Sequence, residues 1–445
     1  MGCGAICARI DNYLMKQLVF DALIVGIALF SMFFGAGNII FPPYVGLASG
    51  NEWLLGFVSY YLADVGLALA AIFAMLRSDS IDKVEGVMVR LGHIPARLMM
   101  GICVLCIGPL LAVPRTCATT FSISILPLVG DGALWQPLFA VLYFVIVWIC
   151  SVREVAVVDI LGRYLTPVLV LGLMVLIVAG CLNPIGPVVA APTIEEHTVL
   201  TGILSGYQTL DMMGAMVFGL IVVNALKAKG HTSDAHKFLS VALATVIAGA
   251  LLLIVYGGLC YLGATVSTLY PPDIDKGKLI TNIATHLLGV SGALILRIVV
   301  ALACLTTGIA LTASTGTFFH TVSRGRCNYA AMVTVVCVFS TLVASMGLDA
   351  IIAFAGPILL FIYPGAVVVV LLTFFDKTIR SDRIVRFACA GALLGSLCDV
   401  LATYIPDVFG SLALLPLQSY GFGWLLPAAV CGLAGAWRKG GGCCE

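Results

Sequence analysis

The stretch FSMFFGAGNIIFPPYVG, Phe30 to Gly46, lies inside the first long apolar run of the chain and decides how the rest is read. Its surroundings are apolar enough for hydrocarbon, yet it carries Gly35, Gly37, the uncharged polar Asn38 and the Pro42-Pro43 pair, all of which weaken a helix. Backbone that leaves helical geometry inside a bilayer is tolerated only where it lines a cavity enclosed by protein or filled with water, because unpaired amides and carbonyls are costly in lipid. The stretch is therefore expected to be a break between two half-helices. At such a break the amides of the second half can hold an anion such as a carboxylate, and the carbonyl end of the first half can coordinate a cation, so one break serves both ends of a cotransport site. Gly35-Ala36-Gly37 also suits plain close packing of helices, but packing needs neither a buried amide side chain nor the loss of two backbone donors.

The 445-residue chain is 61% hydrophobic and only 10% charged, with a mean hydropathy of +1.12. That excludes an ordinary soluble domain and points to an all-α integral membrane protein. At about 20 apolar residues per crossing, windows fall at 20–48, 54–76, 97–121, 133–151, 160–181, 203–226, 238–266, 293–320, 329–346, 350–375, 384–405 and 420–437, which makes twelve expected transmembrane helices. The net charge of +1 implies no nucleic-acid partner, and nothing implies an obligate protein partner. Most of the 16 cysteines stand singly in apolar runs, where they behave as small hydrophobes. The six histidines fall in loops or near helix ends, so no intramembrane catalytic cluster is expected and the chain does not read as an enzyme.

The connections test the count. Arg9 and Lys16, then Arg77, Lys83, Arg90 and Arg97, then Arg153 and Arg163, Lys227, Lys229 and Lys237, Arg324 and Arg326, Lys377, Arg380, Arg383 and Arg386, and Arg438 and Lys439 all fall on one face. The opposite loops contribute only Lys276 and Lys278, with Arg297 near the mouth of the eighth span. The positive-inside rule then places both termini in the cytoplasm.

If the halves are related by inversion, a second irregular span is expected five helices after the first. The sixth span supplies it in SGYQTLDMMGAMVFG, where Gly206, Tyr207, Gln208, Thr209 and the acidic Asp211 cluster near its start. An ionisable residue there is a functional candidate needing a cation, a substrate ammonium or a donor network; the alternative is a helix cap at the outer end. In the eighth span Ala303, Thr306 and Thr307 share one face, so a carbonyl and two hydroxyls can converge on a hard monovalent cation, although threonines also bond back to their own helix. Asp64, Arg115 and Asp399 are further charges inside apolar windows; Arg115 could contact Asp64 or a group on the substrate pathway, and a structural ion pair is the role expected of it. Gly356-Pro357 and Pro364-Gly365 predict a kinked or hinged tenth span.

FFGAGNIIFPP, GPLLAVPRT, SGYQTLDMMGAMVFG, YLGA and TTGIALT, in this order, resemble the bacterial branched-chain amino-acid:cation symporters, and the likeness covers nearly the whole chain. The resemblance implies a LeuT-type fold with a five-plus-five inverted repeat, at 20–181 and 203–375. Two further helices at 384–437 and cytoplasmic termini at 1–19 and 438–445 complete the plan, in the cytoplasmic (inner) membrane of a bacterium. It implies import of leucine, isoleucine and valine coupled to Na+. The alternative is coupling to H+, with Asp211 or Asp64 as the titrating group, or an exchange-type transporter of a related small neutral amino acid. The amides of Ala36 and Gly37, in a substrate site that includes Gly35 and has Asn38 nearby, would hold the substrate carboxylate, and Tyr207, Gln208, Thr209 and Asp211 would meet the rest of the substrate. The carbonyls of Ser31, Phe34 and Ala303 with the hydroxyls of Thr306 and Thr307 would hold sodium. Phe33 stands where relatives with two sodium ions have a small residue, which argues for one ion.

Overall fold

The computed structural model describes residues 2–78, 80–81, 83–130, 132–152, 157–188, 191, 197–228, 234–405 and 417–437, with side chains from residue 16 onward except at 157–166, 220–228, 234–237 and 419. Arg153, Lys229, His231 and the expected C-terminal segment 438–445 lie outside the described residues, as do the side chains of Arg9, Arg163, Lys227, His236 and Lys237.

The described residues form helices and no strand. In chain order these are α1 (Gly2–Phe33), α2 (Ala36–Ser49), α3 (Trp53–Tyr61), α4 (Leu67–Arg77), α5 (His93–Leu105), α6 (Ala112–Thr120), α7 (Leu126–Val129), α8 (Trp135–Val152), α9 (Val157–Leu182), α10 (Thr198–Thr209) and α11 (Asp211–Ala228). They continue with α12 (Asp234–Ala264), α13 (Lys276–Val322), α14 (Tyr329–Ala344), α15 (Leu348–Phe374), α16 (Asp382–Tyr404) and α17 (Leu425–Trp437). Among the described residues, eight helical stretches are long and apolar enough to cross a bilayer.

Several stretches are one path through the bundle with a local fault. Leu62–Gly66 joins α3 to α4 and Cys106–Leu110 lies between α5 and α6; both widen to π-type turns, as does Phe121–Ile125 after α6. Such widenings recur at functional sites, and the one at 62–66 contains Asp64. Around Gly108 (φ −91°, ψ −123°) and Pro109 the helix is broken outright, because proline lacks the amide the ladder needs. Residues 276–288, expected within a loop, are the first arm of α13, which turns at Gly289 (φ +67°), a backbone conformation that favours glycine.

The outward surface is apolar. On α8, Leu138, Val141, Leu142, Val145 and Ile149 are exposed at helical spacing, and Leu294, Ile295 and Ile298 do the same on α13. A soluble protein would bury such stripes; a bilayer makes them the solvated face. The interior instead holds Asn38, Asp64, Arg115, Thr116, Thr119 and Asp211.

At the centre, α2 touches α3, α6, α10, α12 and α13. Its contact with α12 needs two glycines: a β-carbon on Gly46 would overlap the Cys260 carbonyl, and one on Gly263 would overlap the Pro43 carbonyl. Small residues thus let two backbones meet directly. At one end, buried Arg90 ties the segment between α4 and α5 to the junction of α15 and α16. It donates to Asp382 Oδ1 (3.0 Å) and to the carbonyls of Leu372 (3.0 Å) and Ile379 (2.6 Å).

Candidate functional site

The break in the first span falls at Phe34-Gly35. The Gly35 amide turns back to the Phe33 carbonyl (2.7 Å), so the Ser31 carbonyl is released from the bond a continuous helix would give it. Gly35 is extended (φ −108°, ψ −165°) and α2 starts at Ala36, which leaves its first-turn amides without acceptors of their own helix. Gly37 therefore stands inside α2, not in the break itself. Its reason for being glycine is close approach: a β-carbon there would lie 3.1 Å from Arg115 Nη2 and 3.3 Å from the Thr209 α-carbon. At Gly35 a β-carbon would lie 3.2 Å from the Thr307 methyl, which brings α13 against the break.

The second break lies between α10 and α11. Leu210 sits in the left-handed region (φ 70°, ψ 12°), a costly conformation for a branched side chain, and is buried. The carbonyls that α10 loses there are taken up from another helix. Arg115 on α6 donates through Nη1 to the Gln208 carbonyl and through Nη2 to the Thr209 carbonyl (3.2 Å). The Thr209 hydroxyl lies 2.7 Å from Asp64 Oδ1 and 2.5 Å from the Gly206 carbonyl, one proton between two acceptors. Asn38 Nδ2 donates to Asp211 Oδ2 (2.8 Å) and to Tyr256 Oη (2.5 Å). Asn38 thereby bonds the two breaks together, and Arg115, which caps the second, packs against Gly37 beside the first.

These groups surround a cavity of about 30 Å³, lined among others by Gly35, Ala36, Gly37, Arg115, Asp211 and Thr307. That volume holds a pair of water-sized groups, so the cavity is narrow. Two buried carboxylates, Asp64 and Asp211, face one buried guanidinium. Charge of this kind in an apolar bundle is stable only when matched.

Of the residues expected to act, Gly35, Ala36, Gly37, Asn38, Thr209, Asp211 and Thr307 line the cavity. Tyr207 does not; its ring stacks on Tyr363 with centroids 4.2 Å apart. Gln208 contributes its backbone carbonyl to Arg115, while its side chain reaches toward the Ile352 carbonyl at 3.5 Å. The Thr306 hydroxyl donates to the Ala303 carbonyl (2.8 Å), the local alternative for a helical threonine. The neighbouring Thr307 hydroxyl is buried with no hydrogen-bond partner. Ser31 and Phe34 lie immediately before the break, Phe34 stacked on Phe30 at 5.4 Å. Among the described residues no cluster of His, Cys, Asp and Glu could hold a metal, so the atoms available to a cation are carbonyls and hydroxyls beside one or two carboxylates.

The ion pair expected for Arg115 is replaced by the carbonyl clamp, because the end of α10 leaves acceptors that a guanidinium fork fits. Tyr256, which fixes Asn38, is absent from the expected set; a lone tyrosine in the apolar run LLLIVYGGLC was its only signal.

Apolar outside, charged within, and carrying two broken helices that meet at one buried cavity, the molecule has the build of a membrane transporter. It matches the family described as Branched-chain amino acid transport protein over residues 19–439, and the chain belongs to that family. Branched-chain amino acid permease BraB of Bacillus subtilis is 34% identical over 428 residues, covering 92% of this chain and 93% of that protein. The branched-chain amino acid transport system 2 carrier protein of Pseudomonas aeruginosa is 35% identical over 420 residues, 92% and 94% of the two chains. Among solved structures, Mhp1, a nucleobase-cation-symport-1 family transporter, has a TM-score of 0.59 at 14% identity over 94% of this chain and 93% of that one. A Na+-coupled sialic acid symporter has a TM-score of 0.57 at 11% identity, covering 94% and 90%. The chain shares the fold of these two.

Proposed function

We propose that the protein is a secondary active symporter that carries leucine, isoleucine and valine into a bacterial cell together with sodium, by alternating access. The observation that carries this reading is the meeting of two helix breaks at one narrow cavity, lined by the first turn of α2, whose amides are free, and by the unpartnered Thr307 hydroxyl, with the released Ser31 carbonyl just before the break. The amides of Ala36 and Gly37 take the carboxylate of the amino acid, as helix N-termini take anions. The ammonium goes to the side of Asp211, and the aliphatic chain enters space that opens beside Phe33 and Phe218, rings now 5.8 Å apart.

Sodium sits between α1 and α13, on the Ser31 and Phe34 carbonyls, the Ala303 carbonyl and the Thr307 hydroxyl. It holds the break in its open-ladder form and so raises affinity for the amino acid; the amino acid raises affinity for sodium by the same factor. Twelve crossings, a five-plus-five inverted repeat with α16 and α17 added, and cytoplasmic termini complete the scheme. Rocking of one bundle against the other, with α15 bending at Pro357 and Pro364, opens the cavity first to one side and then to the other.

Proton coupling is the second reading, and the two buried acids Asp64 and Asp211 beside a single arginine are the observation that favours it. Uptake of labelled leucine into proteoliposomes separates the two. An inward sodium gradient at equal pH should drive accumulation, and a pH gradient without sodium should not. Accumulation that follows the pH gradient alone replaces sodium by protons; uptake that follows neither removes the symport claim.

A further inference from the structure

Arg115 is 3% exposed and lies deep in the bundle. Two of its five N–H donors are taken by the carbonyls that end α10, and its Nε is buried with no hydrogen-bond partner. Neither Asp64 nor Asp211 comes within 4.0 Å of the guanidinium: Thr209 holds one and Asn38 the other. Capping two carbonyls does not call for a permanent charge, since any pair of neutral donors would do it without the desolvation of a guanidinium. Arg115 is thus a buried cation short of an anion in direct contact. Its guanidinium also lies against Gly37, in the first turn of α2, where the orphan amides are. Arg115 and that turn line the same cavity.

We propose that Arg115 is the second half of the carboxylate site and contacts the substrate directly. The free amides of α2 and the unused edge of the guanidinium receive one carboxylate between them. This makes Arg115 a specificity residue: it selects α-amino acids over amines and alcohols with the same aliphatic chain. Because the same side chain clamps the Gln208 and Thr209 carbonyls, arrival of a carboxylate is felt directly at the second break. The inference rests on the carboxylate-at-the-break reading above.

The test is binding of labelled leucine to purified protein in nanodiscs, competed by leucine, leucinol and 3-methylbutylamine, in wild type, Arg115→Gln and Arg115→Lys. In wild type leucine should compete far better than the two analogues lacking a carboxylate. In Arg115→Gln the leucine constant should weaken about 10- to 100-fold, the worth of charge-assisted hydrogen bonds, while the analogues change little, so that the preference collapses. Arg115→Lys, which keeps the charge without the fork, should fall between. A mutant that weakens all three competitors equally, or keeps the full preference, overturns the assignment to Arg115. Wild type that does not discriminate in the first place overturns instead the placing of the carboxylate at the helix break.

Discussion

Gly37→Ala puts the geometry of the site to a quantitative test. The added methyl would meet Arg115 Nη2 at 3.1 Å, the Thr209 α-carbon at 3.3 Å and Arg115 Cζ at 3.4 Å, against about 3.5–4.0 Å for comfortable carbon contact. Neither neighbour yields freely, because Arg115 and Thr209 are bonded to each other. Overpacking of this order costs roughly 1–3 kcal/mol, and replacing glycine inside a helix returns about 0.5–1 kcal/mol. Net stability should therefore fall by no more than about 2.5 kcal/mol, a small shift in melting temperature for a chain of this size. The displacement, however, falls on the guanidinium and the end of α10. If leucine binding bears most of it, about 1.4 kcal/mol, the half-saturating leucine concentration rises about tenfold. The assay is labelled leucine uptake in proteoliposomes alongside a thermal melt. Gly101→Ala is the control, since a β-carbon there meets nothing within 4 Å. Wild-type leucine affinity in Gly37→Ala, or equal losses in both variants, would refute the reasoning.

Thr307→Ala should raise the sodium concentration for half-maximal uptake severalfold, while Thr306→Ala, whose hydroxyl is committed to the Ala303 carbonyl, should leave it within about twofold; sodium titration of uptake decides, and the reverse order would move the site. Arg90→Ala removes three hydrogen bonds at the end of the bundle and should cost roughly 2–3 kcal/mol. The exposed Arg97–Glu85 pair is worth under about 1 kcal/mol; melting curves of Arg90→Ala and Arg97→Ala should differ accordingly.

The legibility of the chain followed the range of the forces involved. Apolar windows and the FFGAGN break could be read because hydropathy and helix weakening are local properties. The break came out within a residue or two of its expected place, and the irregular sixth span indeed holds a second break. Leu210, at which that break turns, gave no warning, since leucine is a good helix former and only tertiary contacts put it in a left-handed conformation. The partners of Arg115 were equally hidden: they are backbone carbonyls 93 and 94 positions away, and carbonyls have no signature in a sequence. Gly37 was legible as important and was read as part of the break over close packing, because glycine gives the same letter to flexibility and to close approach. Thr306 and Thr307 differ only in which way each faces, and adjacent letters do not carry that difference.

Leu210 has one consequence for how fast such a carrier can run. Holding a leucine in the left-handed region costs about 1–2 kcal/mol relative to a glycine in the same place, and that cost is borne wherever the joint keeps its present shape. A carrier that settled too deeply into its closed form would become a kinetic trap, with loading and release both waiting on the exit. Under the alternating access proposed above, the strained joint lifts the floor of the well for the form described here. If the strain is relieved on leaving that form, Leu210 shortens its dwell time by about five- to thirtyfold compared with glycine.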